Sequence, residues 1–446
     1  MENRKLENKR IVRWLDPLVV ILTLTAYLLY LNNREGQLKW GLLGIVVLLV
    51  GGGAVRAGLT YPQLFKVRTG WVWLRFNWPI FVLLVAMSLG GWFGWQAIRN
   101  APPLTETETR LATNAVTIVK RSNWNTPAFN QPPLYLNLTT LAYEGAFLQQ
   151  LNGGRYGSPD DLRPDSFLDL SRYVNLIMGL LTLLPLYDAA ARLYSRQAGA
   201  IAALLLALAW TQYSSYARLE PQTLAAALLM LSFYFGVRGF QSQTKSWDFG
   251  WAGLLAGLAT ATAYGSILIL VGLGLAWSFA SQRERTSWWQ ILAGWLLGFT
   301  LGAAGWLLNL PSFINGLGSI GAAGEVGNTA GFYLKEFFSH DAGLLLLLIL
   351  SIGLAIVKPC VKDWLALSFV VLYSLSLGLI GPHLYFRLDL LLPLSALAVT
   401  RPLELAIVFI QTKFSVDRYG WVGKAVGVGL IVAILSLSVV IRRLET

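Results

Sequence analysis

The segment LTETETRLATNAVTIVKRSNWNTPAFNQPPLYLNL, residues 104–138, is a polar island in an oily chain. It carries Glu106 and Glu108, the basic pair Lys120 and Arg121, and the double proline Pro132–Pro133. The rest of the 446 residues make it unusual: the chain is 55% hydrophobic and 13% charged, whereas soluble domains carry about a quarter charged residues. Apolar runs long enough to cross a bilayer recur from end to end. Only helices or closed barrels satisfy the backbone in lipid, and runs of this length are helical. The chain therefore reads as an all-α, polytopic membrane protein with the quoted segment held outside the lipid.

Composition narrows the chemistry. The net charge is +12, which in a soluble protein points to nucleic acid. Here cationic loops that hold the cytoplasmic side account for it, and no nucleic-acid partner is expected. The single cysteine, Cys360, excludes an internal disulfide and a cysteine-based metal cluster. Two histidines, His340 and His383, argue against a histidine-rich metal or haem site.

Loop charges set the topology. The arm MENRKLENKR and Arg13 place the N-terminus in the cytoplasm, and no small-residue cleavage site follows the first apolar run, so it is read as a retained helix. Spans are expected near 15–32, 39–55 and 79–97, then 173–191, 198–216 and 222–238. The run 250–280 is interrupted by AYGS at 263–266 and reads as two short helices. Spans near 289–309, 343–357, 363–380, 385–400 and 421–441 bring the total to about 13. Segments 98–172, 310–342 and 381–384 then lie outside, whereas KPCVK at 358–362 and the stretch from Arg401 to Lys413 lie inside. The odd count leaves Arg442 and Arg443 outside, against the charge rule. Three regions result: 1–78, an arm with two additional helices; 79–400, a core that includes outer loop 98–172; and 401–446, an amphipathic segment with a last membrane helix.

In this topology the outer side collects Arg110, Lys120, Arg121, Arg172, Arg218, Lys335 and Arg387, together with Glu106, Glu108 and Glu220. An anionic ligand at the interface explains such a cluster, because the arginine fork matches phosphate oxygens. An acid beside these bases could take a proton from an acceptor, or hold a divalent ion that bridges to phosphate. Each residue also has an ordinary reading. Glu108 sits in the first turn of a helix expected to lie along the membrane from ETRLATNAVTIVKR, where an acid suits the dipole. Lys120 and Arg121 suit lipid headgroups, Glu220 before Pro221 suits a helix start, and Pro132–Pro133 suits a rigid helix entry. Glu144 in LTTLAYEGAF reads as a surface residue.

The ordered set of these features resembles the GT-C class of polyprenyl-phosphate-dependent glycosyltransferases, in particular the protein mannosyltransferase and aminoarabinose transferase superfamily. Those proteins open the first outer loop with an Asp-Glu pair, followed by a stretch like R-Y-A-x-x-A-x-x-M, a G-D-W-x-x-P and a P-P-L. Thr107-Glu108-Thr109-Arg110-Leu111 through Ala115 is similar to the first part, Ser122-Asn123-Trp124-Asn125-Thr126-Pro127 to the second, and Pro132-Pro133-Leu134 to the third. Arg172 resembles the arginine that opens the next span, and Ala217-Arg218-Leu219-Glu220-Pro221 a later step that carries an acid. GLLAGLATATAYGSILIL resembles paired short helices, and HLYFRLDLLLPLSALA, with Arg387, an arginine-to-proline stretch. The likeness covers about residues 79–400. It departs where the Asp of the pair is Thr107, where a charged pair before Pro-Pro is Asn130-Gln131, and where the turn AYGS lacks a lysine.

The resemblance implies inverting transfer of one sugar from a polyprenyl-phosphate donor to a lipid, glycan or protein acceptor on the outer face of the membrane. It makes Glu108, supported by Glu106, the base. Arg110, Arg172, Arg218, Glu220, Arg387, Pro132 and Pro133 become substrate contacts, and Glu108 with Glu220 an optional site for magnesium or manganese. Replacing Glu108 by Gln is then expected to stop transfer and leave the fold intact. Two rival readings are a transporter or flippase, and a GT-C-like accessory protein without chemistry, which the departures at Thr107 and Asn130-Gln131 favour.

Overall fold

In the computed structural model, the residues described are 70–101, 104–121, 133–152, 157–166, 168–242, 247–280, 288–303, 329–380 and 388–405, together with 154, 310–311 and 314–315. The expected spans at 15–32, 39–55 and 421–441, the W-x-x-P stretch, Asn130-Gln131, Pro132 and Arg387 lie outside these residues, as do the side chains of Glu106 and Thr107. Every regular element among the described residues is helical: α1 (Gly70–Arg99), α2 (Glu106–Arg121), α3 (Pro133–Asn152), α4 (Leu168–Leu193), α5 (Arg196–Leu208), α6 (Trp210–Ser215), α7 (Gln222–Gln241), α8 (Asp248–Thr260), α9 (Ile269–Ser278), α10 (Trp289–Gly302), α11 (Thr329–Val357), α12 (Val361–Ile380) and α13 (Leu388–Ala398).

The chain divides into two compact units, residues 1–84 with 144–161, and residues 85–143 with 162–446. The described part of the first unit is the start of α1, the end of α3 and a 3₁₀ turn, Pro159–Asp161. Past the end of α3, Gly154 takes a left-handed φ of 72°, the conformation that a glycine adopts without cost at a helix terminus. Asp161 Oδ2 accepts from the Gly157 and Ser158 N–H groups at 2.9 and 3.0 Å and closes the turn.

In the second unit, long-range contacts tie the helix ends into two groups. At one end Arg401 pairs with Asp363, whose Oδ1 also accepts from Tyr194 Oη at 2.9 Å, and Arg401 Nη1 reaches the Lys358 carbonyl at 3.3 Å. The expected inner segments around 358–363 and 401 therefore meet. At the opposite end Ile98, Leu176 and Tyr216 form one cluster, and Leu134 N–H donates to the Ala261 carbonyl at 3.1 Å. The Tyr216 ring occupies a slot where side chains are missing: a Cβ on Gly179 would fall 2.0 Å from it, and one on Gly94 2.5 Å.

Among the described residues, four helices are long and apolar enough to cross a membrane: Trp78–Arg99, Leu168–Leu193, Gln222–Gln241 and Tyr333–Val357. Arg196–Leu208, Tyr264–Ser278 and Trp289–Gly302 are apolar but shorter. The split of 250–280 is present: α8 ends at Thr260, a 3₁₀ turn covers Tyr264–Leu268, and α9 follows. Three expectations are corrected. The span 198–216 is not one helix, because Ala209 is extended (φ −64°, ψ 124°) between α5 and α6. The loop 310–342 is helical from Thr329, with a break at Asp341 (φ −133°, ψ 44°) inside α11. These two breaks have one cause. Asp341 Oδ1 accepts from Trp210 N–H at 2.9 Å, and its Oδ2 from Thr211 N–H at 3.2 Å and from the Thr211 hydroxyl, so the carboxylate supplies the acceptor that the first turn of α6 lacks. The expected span 289–309 ends as a helix at Gly302.

The tightest contact joins α8 and α10. A Cβ on Gly253 would lie 2.2 Å from the Ile291 carbonyl oxygen, one on Gly257 2.1 Å from that of Trp295, and one on Gly298 2.0 Å from that of Leu254. Backbone touches backbone along a small-xxx-small face, the packing that works in lipid where burial gives helices no hydrophobic drive.

Candidate functional site

Helix α2 begins with Thr105-Glu106-Thr107-Glu108, the T-x-x-E pattern of a capping box. The bonds are made: Glu108 N–H donates to Thr105 Oγ1 at 3.3 Å, and Glu108 Oε2 accepts from Thr105 N–H at 2.9 Å and from the Thr105 hydroxyl at 2.8 Å. The other carboxylate oxygen leaves the helix. Glu108 Oε1 accepts from Leu219 N–H at 2.7 Å, across 111 residues. The side chain that reaches this far is buried, at 2% exposure. Arg110 follows two residues later, about 200° around a regular helix, and is exposed. Leu111, Ala112, Ala115, Ile118 and Val119 continue the buried face at helical spacing.

Leu219 belongs to the connection Tyr216–Pro221 between α6 and α7, which three helices grip. Its side chain packs with Leu111 and Ala112 of α2, Tyr135 of α3 and Leu224 of α7. On α4, Asn175 Nδ2 donates to the carbonyls of Arg218 at 2.8 Å and Glu220 at 3.4 Å. Asn175 Oδ1 accepts from Tyr135 Oη at 3.0 Å. Burial pushes the Tyr135 phenol above its ordinary range, so it stays protonated and can donate.

What the grip presents is Arg218. Its side chain is 44% exposed, and Nη1 lies 3.8 Å from Oε1 of Glu220, which is 6% exposed. One turn before Asn175 on α4, the buried Arg172 has Nη1 3.9 Å from Asp169 Oδ1. Burial raises the Tyr143 phenol, while the charge of Arg172 acts the other way. The end of the bundle thus gathers arginines, carboxylates and phenols that the apolar spans would not otherwise carry.

Residues 169–306, from α4 to α10, match the family model described as dolichyl-phosphate-mannose-protein mannosyltransferase. No curated protein matches the chain in sequence. Among solved structures, ArnT from Cupriavidus metallidurans bound to undecaprenyl phosphate aligns with a TM-score of 0.54 at 14% identity, over 84% of this chain and 73% of that one. The archaeal oligosaccharyltransferase AglB from Archaeoglobus fulgidus, in complex with an inhibitory peptide and a dolichol-phosphate, aligns with a TM-score of 0.55 at 11% identity, over 84% of this chain and 56% of that one. The fold is the GT-C fold.

Within this GT-C fold the structure groups Glu108, Arg218 and Glu220 around one loop, with Arg172 one turn from the asparagine that holds it. Arg110 lies on the other face of α2, and Lys120 and Lys335 are exposed. Pro133 opens α3 next to the Leu134–Ala261 bond, so this entry docks on the end of α8. Glu144 falls in the other unit. Among the described residues no three His, Cys, Asp or Glu side chains gather as a metal site. Both carboxylate oxygens of Glu108 already serve Thr105 and Leu219.

Sequence reasoning missed Asn175 and Tyr135, and the Asp341 cap with the neighbouring His340, whose ring stacks on Trp210 at 4.2 Å and 20°. The signal for Asn175 was present: an asparagine inside the apolar run RYVNLIMGLL must find partners.

Proposed function

We propose that this GT-C chain is an inverting membrane glycosyltransferase that moves a sugar from a polyprenyl-phosphate donor to a lipid, glycan or protein acceptor on the outer face of the membrane. The observation that carries the reading is Arg218, a half-exposed guanidinium on a loop held at Arg218, Leu219 and Glu220, within the segment that matches the mannosyltransferase model. An apolar bundle can take the isoprenoid tail between its helices, and the polar end meets the phosphate. ArnT and AglB, which share the fold, are described with undecaprenyl phosphate and a dolichol-phosphate, and this supports the choice of donor.

In this reading an acceptor hydroxyl attacks the anomeric carbon, and the bond from that carbon to the phosphate oxygen breaks. The phosphate leaves with the electron pair, and Arg218 takes up its charge through paired N–H donors, supported by Arg172 and Arg387. The proton of the hydroxyl goes to a carboxylate at the same edge. Glu220, beside Arg218, and Glu108, which would have to release a donor first, are the described acids there; Glu106 precedes them on α2.

A second reading has one observation in its favour. Glu108 is saturated by Thr105 and Leu219, as in a GT-C-fold component that kept the scaffold and lost the chemistry. One experiment separates the two. Purified protein is offered a panel of radiolabelled polyprenyl-phosphate sugars with membrane lipid and glycan acceptors. Transfer is expected with at least one donor, together with release of polyprenyl phosphate. A folded protein that transfers from none of them overturns the enzyme reading.

A further inference from the structure

We propose that Asn175 and Tyr135 form a positioning relay that aims Arg218 at the lipid phosphate. It rests on the reading of Arg218 as a phosphate contact and adds residues that touch no substrate. One carboxamide spans three groups: Oδ1 accepts from Tyr135 Oη at 3.0 Å, and Nδ2 is shared by the carbonyls of Arg218 at 2.8 Å and Glu220 at 3.4 Å. The amide has one workable orientation, since the flipped form would set Oδ1 against two carbonyl oxygens. Asn175 is 1% exposed and Tyr135 4%, so a lost partner here is not replaced by water.

The geometry separates positioning from packing. Leu219 is the residue of the loop that packs, between α2, α3 and α7, and its N–H is held by Glu108 from the α2 side. Asn175 takes no part in that packing. It bonds the carbonyls on either side of Leu219, and so sets how the peptide planes at Arg218 and Glu220 turn about the packed residue. The direction of the Arg218 side chain follows from those planes. A long flexible side chain that is 44% exposed has few other constraints, and a misplacement of about 1 Å is enough to cost a contact of this kind. Tyr135 is in turn the group that fixes which way the carboxamide faces.

The test is binding of undecaprenyl phosphate, against undecaprenol as the form without charge, to the full chain in phosphatidylcholine nanodiscs. Arg218→Ala should weaken the phosphate lipid and leave undecaprenol unchanged. Asn175→Ala should weaken the phosphate lipid about tenfold, with undecaprenol again unchanged, and should add nothing in the Arg218→Ala background, because coupled residues are not additive. Tyr135→Phe removes one oxygen, keeps the ring in the Leu219 cluster and should give a smaller loss of the same kind; it carries the test if Asn175→Ala does not fold. Equal loss of both lipids, a loss that persists without Arg218, or no loss in either variant overturns the relay and leaves the function standing. Wild-type binding by Arg218→Ala overturns the phosphate contact and the relay with it.

Discussion

Replacing Glu108 by Gln separates two roles that one carboxylate could play. A base needs its charge, and its loss would slow transfer in a protein that stays folded. The structure predicts a different first effect. Oε1 serves Leu219 N–H at 2.7 Å, and Oε2 serves Thr105 N–H and its hydroxyl at 2.9 and 2.8 Å. A glutamine brings one oxygen and one NH₂ group to these donors. If its oxygen keeps Leu219, the amide hydrogens face Thr105 N–H, and the donor of a part-buried bond goes unmet at a cost of about 1–3 kcal/mol. Two charge-assisted bonds also become neutral or vanish, worth about 1 kcal/mol each. The sum is about 3–5 kcal/mol, enough to lower the melting temperature by roughly 5 °C or more. Thermal unfolding of the full chain in detergent reads this directly. An unchanged melting temperature with lost transfer would refute the structural argument and return Glu108 to the role of base; the expectation that Gln spares the fold would then hold.

Arg218→Ala is expected to abolish turnover in the sugar-transfer assay, whereas Lys120→Ala, at the exposed end of α2, should cost little; equal sensitivity would argue against the phosphate contact. Gly257→Leu drives a side chain into the Trp295 carbonyl, 2.1 Å from where its Cβ would lie, and should cost about 3 kcal/mol or more, seen as lost folded yield. Gly274→Leu, with open space around it, should fold as the wild type does. With Cys360 replaced by Ser, a cysteine at Lys120 should react with an impermeant maleimide from outside the cell, and one at Lys358 only after lysis; the reverse pattern would invert the topology.

The fold was legible where one-dimensional signals suffice. AYGS interrupting the run 250–280 marked two short helices, because a bilayer accepts few residues between polar breaks. The pairing of 358–363 with 401 at one end, and of 135, 175 and 218 at the other, follows from alternation of spans. A helix with Glu108 in its first turn was also legible, since an acid at a helix start needs only its neighbours. The break at Ala209 was not. It depends on a carboxylate 131 residues from Trp210, and without Asp341 nothing in LALAWTQYSS marks the break.

Taken by itself, the sequence determined that the chain is helical, that it lives in lipid and which segments share an end, since hydropathy, span length and charge bias act along the chain. It also collected the arginines and acids of the outer segments. Tertiary structure decided what each of them does. Glu108 points inward to Leu219 and Arg110 outward, Arg218 is presented by a loop that Asn175 holds, and glycines of α8 and α10 bring two backbones into contact. The physical reason is that a hydrogen bond or a close backbone approach exists only between atoms within a few ångströms, and the pairs just named lie 38 to 111 residues apart.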